Sequence, residues 1–179
     1  MTIYARSASS VSWRMRWPVN AATWPGIFAR IPAAFAEFVA TIACFERVNV
    51  LVGGVDVVRG IQPLVDAACE KSAATFDVCM VDIRTNDAWC RDYGPMFLNS
   101  ASAATDVPPQ IAVDWGYNAW GGKYPPWDRD AAVTEQIARH QAVPRVQPGI
   151  ILEGGAVDGN GAGTVITTES CLLNAGRNP

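Results

Sequence analysis

The sequence contains a single histidine, His140, among 179 residues, and no cluster of lysines and arginines. No second histidine is available to complete an obvious acid–base pair with a cysteine. Nucleic-acid binders need clustered basic residues, whereas this chain has a net charge of -3. No apolar run approaches the roughly 18 residues that span a bilayer, and no compact secretory signal is present. These absences predict a soluble, cytosolic protein that binds no nucleic acid and no membrane, and they favour a small or cationic ligand.

The cysteines also exclude some classes of protein. There are five of them, without paired C-x-x-C spacing, which argues against a disulfide framework and against a zinc site. Residues 158–169 match several positions of a calcium-binding loop, but Ala162 replaces one ligand and no flanking helices are predicted. A tight turn at "DGNG" explains these residues better.

Helical spacing and β-branched runs outline the fold. Apolar residues at three- and four-residue spacing predict helices over 32–45 and 57–70, and a third helix, capped by Asp128 or Asp130, ends at His140. Short runs rich in Val and Ile predict five strands, at residues 48–53, 75–83, 95–100, 111–116 and 164–168. A hairpin-like stretch without a helix interrupts the alternation, so we expect an α/β fold with mixed sheets. The clearest predicted loop is "NSASAATDVPPQ".

The stretch "TNDAWCRDYGP" is dense in groups that could hold a cation. Asp87 and Asp92 could each accept two parallel N–H donors from a guanidinium, and Trp89 offers a flat ring on which a cation can rest. The alternative is that Arg91 pairs with one of these aspartates while Trp89 packs in the core. Cys90 is interpreted as a packing residue, because neighbouring carboxylates disfavour a thiolate.

Two further stretches are candidates for a site. "DWGYNAWGGKYPPW" is so aromatic that it could wall a binding cleft, although an interdomain or dimer contact explains it equally well. In "LEGG", Glu153 follows an apolar strand, and the two glycines after it would let other groups approach closely. Glu153 is therefore a candidate site residue.

Five motifs, taken in order, resemble one family. "WPVNAATWPG", "NDAWCRDYGP", "VDWGYNAWGG", "LEGG" and "TTESCLLNAGRNP" are similar to the N-terminal half of the agmatine deiminase and bacterial, Porphyromonas-type peptidylarginine deiminase family. The resemblance covers residues 17–179, a partial deiminase domain, and leaves residues 1–16 as an uncertain segment. It implies the pentein fold, a five-bladed α/β propeller, of which this chain would hold about the first half of the modules.

The resemblance also implies a chemistry. In this family a cysteine thiolate attacks the guanidinium carbon, ammonia leaves, and water resolves the covalent intermediate while a histidine moves protons. By motif, Asp92 would grip the guanidinium, Trp89 would flank the substrate, and Glu153 would hydrogen-bond the catalytic histidine. Asp92 and Glu153 are thus the candidate catalytic residues, and Arg91 would support Asp92. The resemblance implies neither a metal nor an organic cofactor.

The sequence also departs from the family pattern. The histidine and the cysteine that follow the "RNP" motif have no counterpart before Pro179, which suggests a truncated or frame-disturbed product, and a catalytically incomplete binding module or relic is the alternative function. The aromatic stretch holds no arginine to clamp a substrate carboxylate, which favours agmatine over peptidyl-arginine. Unpaired module faces would favour self-association, so a homo-oligomer is possible.

Overall fold

The computed structural model describes residues 13–100, 107–160 and 163–178. These residues form two compact units, 13–90 and 91–178. The first unit contains, in chain order, β1 (Trp13–Arg16), α1 (Ile31–Ala43), β2 (Val48–Val52), α2 (Val55–Ser72) and β3 (Val78–Asp82). A one-turn helix, α3 (Cys90–Tyr93), begins at the last residue of this unit. The predicted α/β class is confirmed.

The first unit is built on a parallel sheet in the order β1-β2-β3. Its central strand is almost fully enclosed, and Val48, Val50 and Val52 are each 0% exposed. Alternate residues of a strand lie on the same face, so these three valines form one face of the sheet. Helices α1 and α2, which connect the parallel neighbours, cover that face. The core of the unit therefore lies between this sheet and the two helices.

The predicted helix over 32–45 is α1, and Pro32 lies in its first turn as expected. The residues that it buries differ in part from the prediction. Alanines together with Val39 form the buried face, whereas Phe38 and Phe45 are 53% and 76% exposed. The close approach of α2 explains the difference, because small side chains let two helices pack tightly against each other.

The second unit contains a mixed sheet in the order β4-β5-β6 and a two-stranded ladder, β7-β8. Its elements after α3 are β4 (Met96–Asn99), β5 (Gln110–Val113), α4 (Ala119–Gly122), α5 (Asp128–Ala131), α6 (Val133–His140), β6 (Arg145–Val146), β7 (Asp158–Gly159), β8 (Val165–Ile166) and α7 (Glu169–Leu172). β4 and β5 are antiparallel, and the parallel pair β5 and β6 is joined by helices. The prediction of mixed sheets is confirmed.

Other local predictions have mixed outcomes. His140 is the last residue of α6 and is exposed, as predicted. The predicted cap at Asp128 or Asp130 is wrong, because α5 starts at Asp128 itself and Trp127 takes the N-cap position. Half of the predicted loop, residues 101–106, lies outside the described residues. Among the described residues, no helix is both long and apolar enough to cross a membrane.

Candidate functional site

Glu153 lies at the end of a short extended segment of the second unit. Gly116 and Ile151 form a parallel bridge, and the Leu152 amide donates to the Gly116 carbonyl at 3.2 Å. From the other side, the Asn178 side chain accepts from the Ile151 amide at 2.6 Å and donates to the Ile151 carbonyl at 3.0 Å. The backbone in front of Glu153 is thus fixed on both sides.

The two glycines after Glu153 allow the α3 turn to approach it. A Cβ atom on Gly154 would lie 2.0 Å from the Arg91 carbonyl oxygen, and one on Gly155 would lie 2.3 Å from Asp92 Oδ1. In the native chain the Gly155 amide donates to Asp92 Oδ1 at 3.1 Å. A side chain at residue 154 would collide with the backbone of α3, and one at residue 155 would displace the Asp92 side chain. The two glycines of "EGG" therefore let α3 approach closely, as the sequence predicted, and bring Asp92 and Glu153 into one site.

Glu153 is a fully buried carboxylate, with 1% of the residue exposed. Its Oε1 lies against Nη1 of Arg177, whose side chain is 14% exposed, in an ion pair that lacks ordinary hydrogen-bond geometry. Glu153 Oε2 has no hydrogen-bond partner within the described ranges. Buried polar groups nearly always form hydrogen bonds, so Glu153 Oε2 is an acceptor that is available to a further donor.

Asp92 is partly buried, and the pKa of its carboxyl group lies above that of an ordinary aspartate. Burial is the main cause that raises the pKa of Asp92, and the negative charge of Glu153 raises it further. The Gly155 N–H, Arg91 and Arg177 act in the opposite direction and lower this pKa. The net shift is upward, so holding a negative charge here costs the folded protein free energy.

We expect Asp92→Asn to stabilise the protein more at pH 7 than at pH 3.5. Because the folded pKa of Asp92 is raised, its contribution to stability is fully present below the unfolded pKa of about 3.9 and is lost as the pH rises through the folded pKa. Asparagine keeps the Oδ1 acceptor for Gly155 but carries no charge.

Urea unfolding followed by tryptophan fluorescence at both pH values measures the difference. Asp56→Asn is the control, since the Asp56 side chain is 91% exposed and surface changes stay within about 0.5 kcal/mol. An Asp92→Asn effect that is equal at both pH values would contradict the expectation.

The other predicted site residues lie in the first unit. Trp89 is 43% exposed, so the alternative that made it a core residue is wrong. Asp87 has both oxygens engaged: Oδ2 accepts from the Thr23 hydroxyl at 2.6 Å and from the Asn20 amide at 3.1 Å, and Oδ1 accepts from the Ala88 amide at 2.6 Å. These bonds give Asp87 a structural role, in which it ties the Trp-Pro segment to its own loop, while the hypothesis that it holds a guanidinium stays a prediction.

Arg91 does not pair with an aspartate through a hydrogen bond. Its guanidinium donates to the Val157 carbonyl at 3.3 Å, while its charge lowers the pKa of the neighbouring Asp92. This arrangement fits a supporting role for Arg91. Cys90 is half-buried at the start of α3, and no group of metal ligands occurs in the part of the chain that the structure describes.

The aromatic stretch forms a row of rings within the second unit. Tyr93, Tyr117, Trp120 and Tyr124 meet edge to face, each with its neighbour at a centroid distance of 5.7 Å. The row runs from buried Tyr93, 4% exposed, to Tyr124, 64% exposed. A row of this kind can wall a cleft or meet another protein surface, so both interpretations from the sequence stay open.

The turn that carries Trp120 has unusual backbone geometry. Residues 119–122 all have positive φ angles, although two of them are not glycine. The Asn118 side chain stabilises the turn by accepting from the Gly121 amide at 2.9 Å, and it donates to the carbonyls of Gly176 and Arg177 at 3.1 and 3.4 Å. Strained backbone of this kind persists only where its surroundings enforce it, and here the "GRNP" segment is part of those surroundings.

Three residues of this site were missed by sequence reasoning: Asn118, Arg177 and Asn178. The contacts that bring them into the site join residues that are distant along the chain, so no local spacing reveals them. The available signal was the "GRNP" stretch itself, a polar, turn-forming segment that no helix or strand pattern explains.

Comparison with known proteins identifies the family. The model of the Porphyromonas-type peptidyl-arginine deiminase family matches residues 5–179. The chain belongs to this family, as the five motifs indicated.

Individual relatives agree with this assignment. A Shewanella frigidimarina protein named "Putative agmatine deiminase" is 36% identical over 169 residues, which cover 92% of this chain and 42% of the relative. The solved agmatine deiminase of Enterococcus faecalis has a TM-score of 0.75 at 32% identity, covering 94% of this chain and 43% of that one. A substrate-bound agmatine deiminase of C. jejuni has a TM-score of 0.72 at 25% identity, covering 93% and 45%. This chain thus spans less than half the length of the relatives that it matches.

Proposed function

We propose that this chain is the substrate-gripping part of a guanidine deiminase that hydrolyses agmatine to N-carbamoylputrescine and ammonia, a step toward putrescine. The observation that carries the proposal is the pair of carboxylates in the second unit. Asp92 uses Oδ1 for the Gly155 amide, and Glu153 is buried with Oε2 unpartnered among the described residues. Family membership and the names of the relatives support the same reaction.

Each carboxylate has its own role in this proposal. Asp92 Oδ2 has no hydrogen-bond partner among the described residues, and it accepts from the substrate guanidinium, whose planar N–H fork matches a carboxylate. Trp89 is exposed enough to flank the substrate. Glu153 accepts from the catalytic histidine through Oε2 and stabilises its charged form.

The remaining chemistry belongs to groups that the family places after the "RNP" motif. A cysteine thiolate attacks the guanidinium carbon, ammonia leaves, and water releases the carbamoyl product, so that agmatine and one water give N-carbamoylputrescine and ammonia. A histidine transfers the protons. In this proposal the 179 residues bind the substrate without completing the reaction by themselves.

The complete architecture is part of the same proposal. The two units contribute about the first half of a pentein-type, five-bladed α/β propeller, and self-association into a homo-oligomer would cover unpaired module faces. The protein acts in the cytoplasm on a small-molecule substrate. Agmatine is favoured over peptidyl-arginine because residues 114–127 contain no arginine to clamp a substrate carboxylate.

Calorimetric titration with agmatine tests the proposal. We expect Asp92→Asn to weaken binding about 10- to 100-fold, because a charge-assisted hydrogen bond contributes about 1.5–3 kcal/mol and 1.4 kcal/mol is tenfold in affinity. Asp56→Asn, on the exposed face of α2, should bind as the native chain does. Putrescine, which has no guanidinium, should bind weakly to every variant.

Two results would contradict the proposal. If Asp92→Asn bound agmatine as tightly as the native chain, the guanidinium would lie elsewhere. If the 179-residue chain alone released ammonia from agmatine, the missing nucleophile and base would have to be found within it, and Cys90 and His140 would become candidates. Tighter binding of a peptidyl-arginine analogue than of agmatine would reassign the substrate within the family.

A further inference from the structure

We infer that Arg177 is a positioning residue of the site, which engages Glu153 Oε1 and so reserves Oε2 for a donor from outside the described residues. The inference deepens the proposed function and rests on it for the identity of that donor. Its structural part rests on contacts within the second unit alone.

Glu153 is buried and therefore needs a group that compensates its charge. A carboxylate that is 1% exposed is stable in its charged form only with a compensating cation or several hydrogen bonds. Among the described residues, the Arg177 guanidinium is the cation in salt-bridge contact with Glu153, and its Nη1 lies against Oε1, whereas Oε2 accepts no hydrogen bond. The charge is thereby balanced while the acceptor capacity of the other oxygen is kept.

Both partners of this ion pair lie next to backbone segments that are fixed by hydrogen bonds. Asn118 donates to the carbonyls of Gly176 and Arg177. Asn178, the next residue, pairs with both the amide and the carbonyl of Ile151, two residues before Glu153. Arg177 and Glu153 therefore meet between anchored segments, which restricts the position of the guanidinium relative to the carboxylate.

Several charged groups surround Asp92. The groups that face it are Glu153, Arg91 and Arg177, together with the Gly155 amide. Glu153 makes a negative charge on Asp92 less favourable, whereas Arg177 makes it more favourable. Arg177 therefore pairs with Glu153 and, together with Arg91 and the Gly155 amide, opposes the rise in the pKa of Asp92, which favours ionisation of Asp92 beside a buried glutamate.

The experiment compares Arg177→Lys, Arg177→Gln and the double variant Arg177→Gln with Glu153→Gln. The carboxyl carbon of Asp92 is titrated by NMR in each protein, and the urea midpoint is measured for each. We expect Arg177→Gln to raise the pKa of Asp92 above its value in the native chain and to lower the urea midpoint. Arg177→Lys should keep the pKa of Asp92 near its native value, because the positive charge is retained.

The double variant separates positioning from packing. If Arg177 acts by balancing the charge of Glu153, neutralising both residues should recover at least half of the decrease in the urea midpoint that Arg177→Gln causes. The inference is overturned if Arg177→Lys and Arg177→Gln shift the pKa of Asp92 equally, or if the double variant is no more stable than Arg177→Gln. Should Arg177→Gln fail to fold, Arg177→Lys and the double variant still decide the question.

The two proposals fail independently. Neither the titration nor the urea midpoint uses agmatine, so a native chain that did not bind agmatine would remove the proposed function and leave the role of Arg177 standing. Conversely, normal agmatine binding with an unchanged Asp92 titration in Arg177→Gln would remove the inference alone.

Discussion

Replacing Gly154 with alanine is expected to lower the free energy of unfolding by about 3 kcal/mol, the upper end of the usual range for overpacking. The new Cβ would lie 2.0 Å from the Arg91 carbonyl oxygen and 3.2 Å from the carbonyl carbon. These are backbone atoms of α3, so no side-chain rotation relieves the clash. Urea unfolding followed by circular dichroism measures the loss.

Gly60→Ala is the matched control for this substitution. Gly60 lies within α2, and a Cβ there would meet nothing within 4 Å. Alanine is favoured over glycine in a helix by about 0.5–1 kcal/mol, so this change should stabilise the protein. If Gly154→Ala proved as harmless as Gly60→Ala, the close packing of "EGG" against α3 would be wrong.

Replacing Arg16 with methionine is expected to lower the free energy of unfolding by about 3 kcal/mol. Arg16 is 3% exposed at the end of β1. It donates to the Leu51 carbonyl at 2.9 Å and to the Thr85 hydroxyl. Hydrogen bonds from a charged donor contribute about 1.5–3 kcal/mol each, and methionine has a similar length but no donor. Thermal and urea unfolding of the purified variant measure the loss.

Arg47→Met tests whether burial is the cause. Arg47 pairs with Asp77 at 3.1 Å, but the two side chains are 59% and 74% exposed. Exposed pairs contribute about 0–1 kcal/mol, so this variant should unfold close to the native chain. Equal losses in Arg16→Met and Arg47→Met would show that Arg16 is not part of a buried network.

The Arg16 network also shows what the sequence could not reveal. Helices α1 and α2 and strand β2 were predictable because their apolar spacing is local and repeats over many residues. Strand β1, "WRMR", was missed because two arginines in four residues indicate a solvated segment. One of them, Arg16, is nevertheless buried, because it donates hydrogen bonds to the Thr85 hydroxyl and the Leu51 carbonyl. Neither acceptor lies near Arg16 in the sequence.

The candidate site was predictable to a similar degree. Glu153 and its glycines were recognisable because a carboxylate before Gly-Gly at a strand end is a local signal. The family resemblance then supplied roles for Asp92, Trp89 and Glu153, which stay predictions until they are tested by substitution. Arg177 could not be assigned, because its partner is defined by the fold. The structural role of Asp87 could not be predicted either, because its bonds to Asn20 and Thr23 are not visible in the sequence.

The strand order of the first unit has a consequence for biosynthesis. Strands β1, β2 and β3 lie in the sheet in the order in which they occur in the chain, and each is joined to the next by a helix. Strands β2 and β3 therefore each pair with a strand that has already been synthesised, and no pairing among these three described strands waits for residues after β3. At about 5–20 residues per second, residues 13–90 are complete within on the order of ten seconds. This unit can thus fold during translation, before the segment that carries Glu153 and Arg177 has been made.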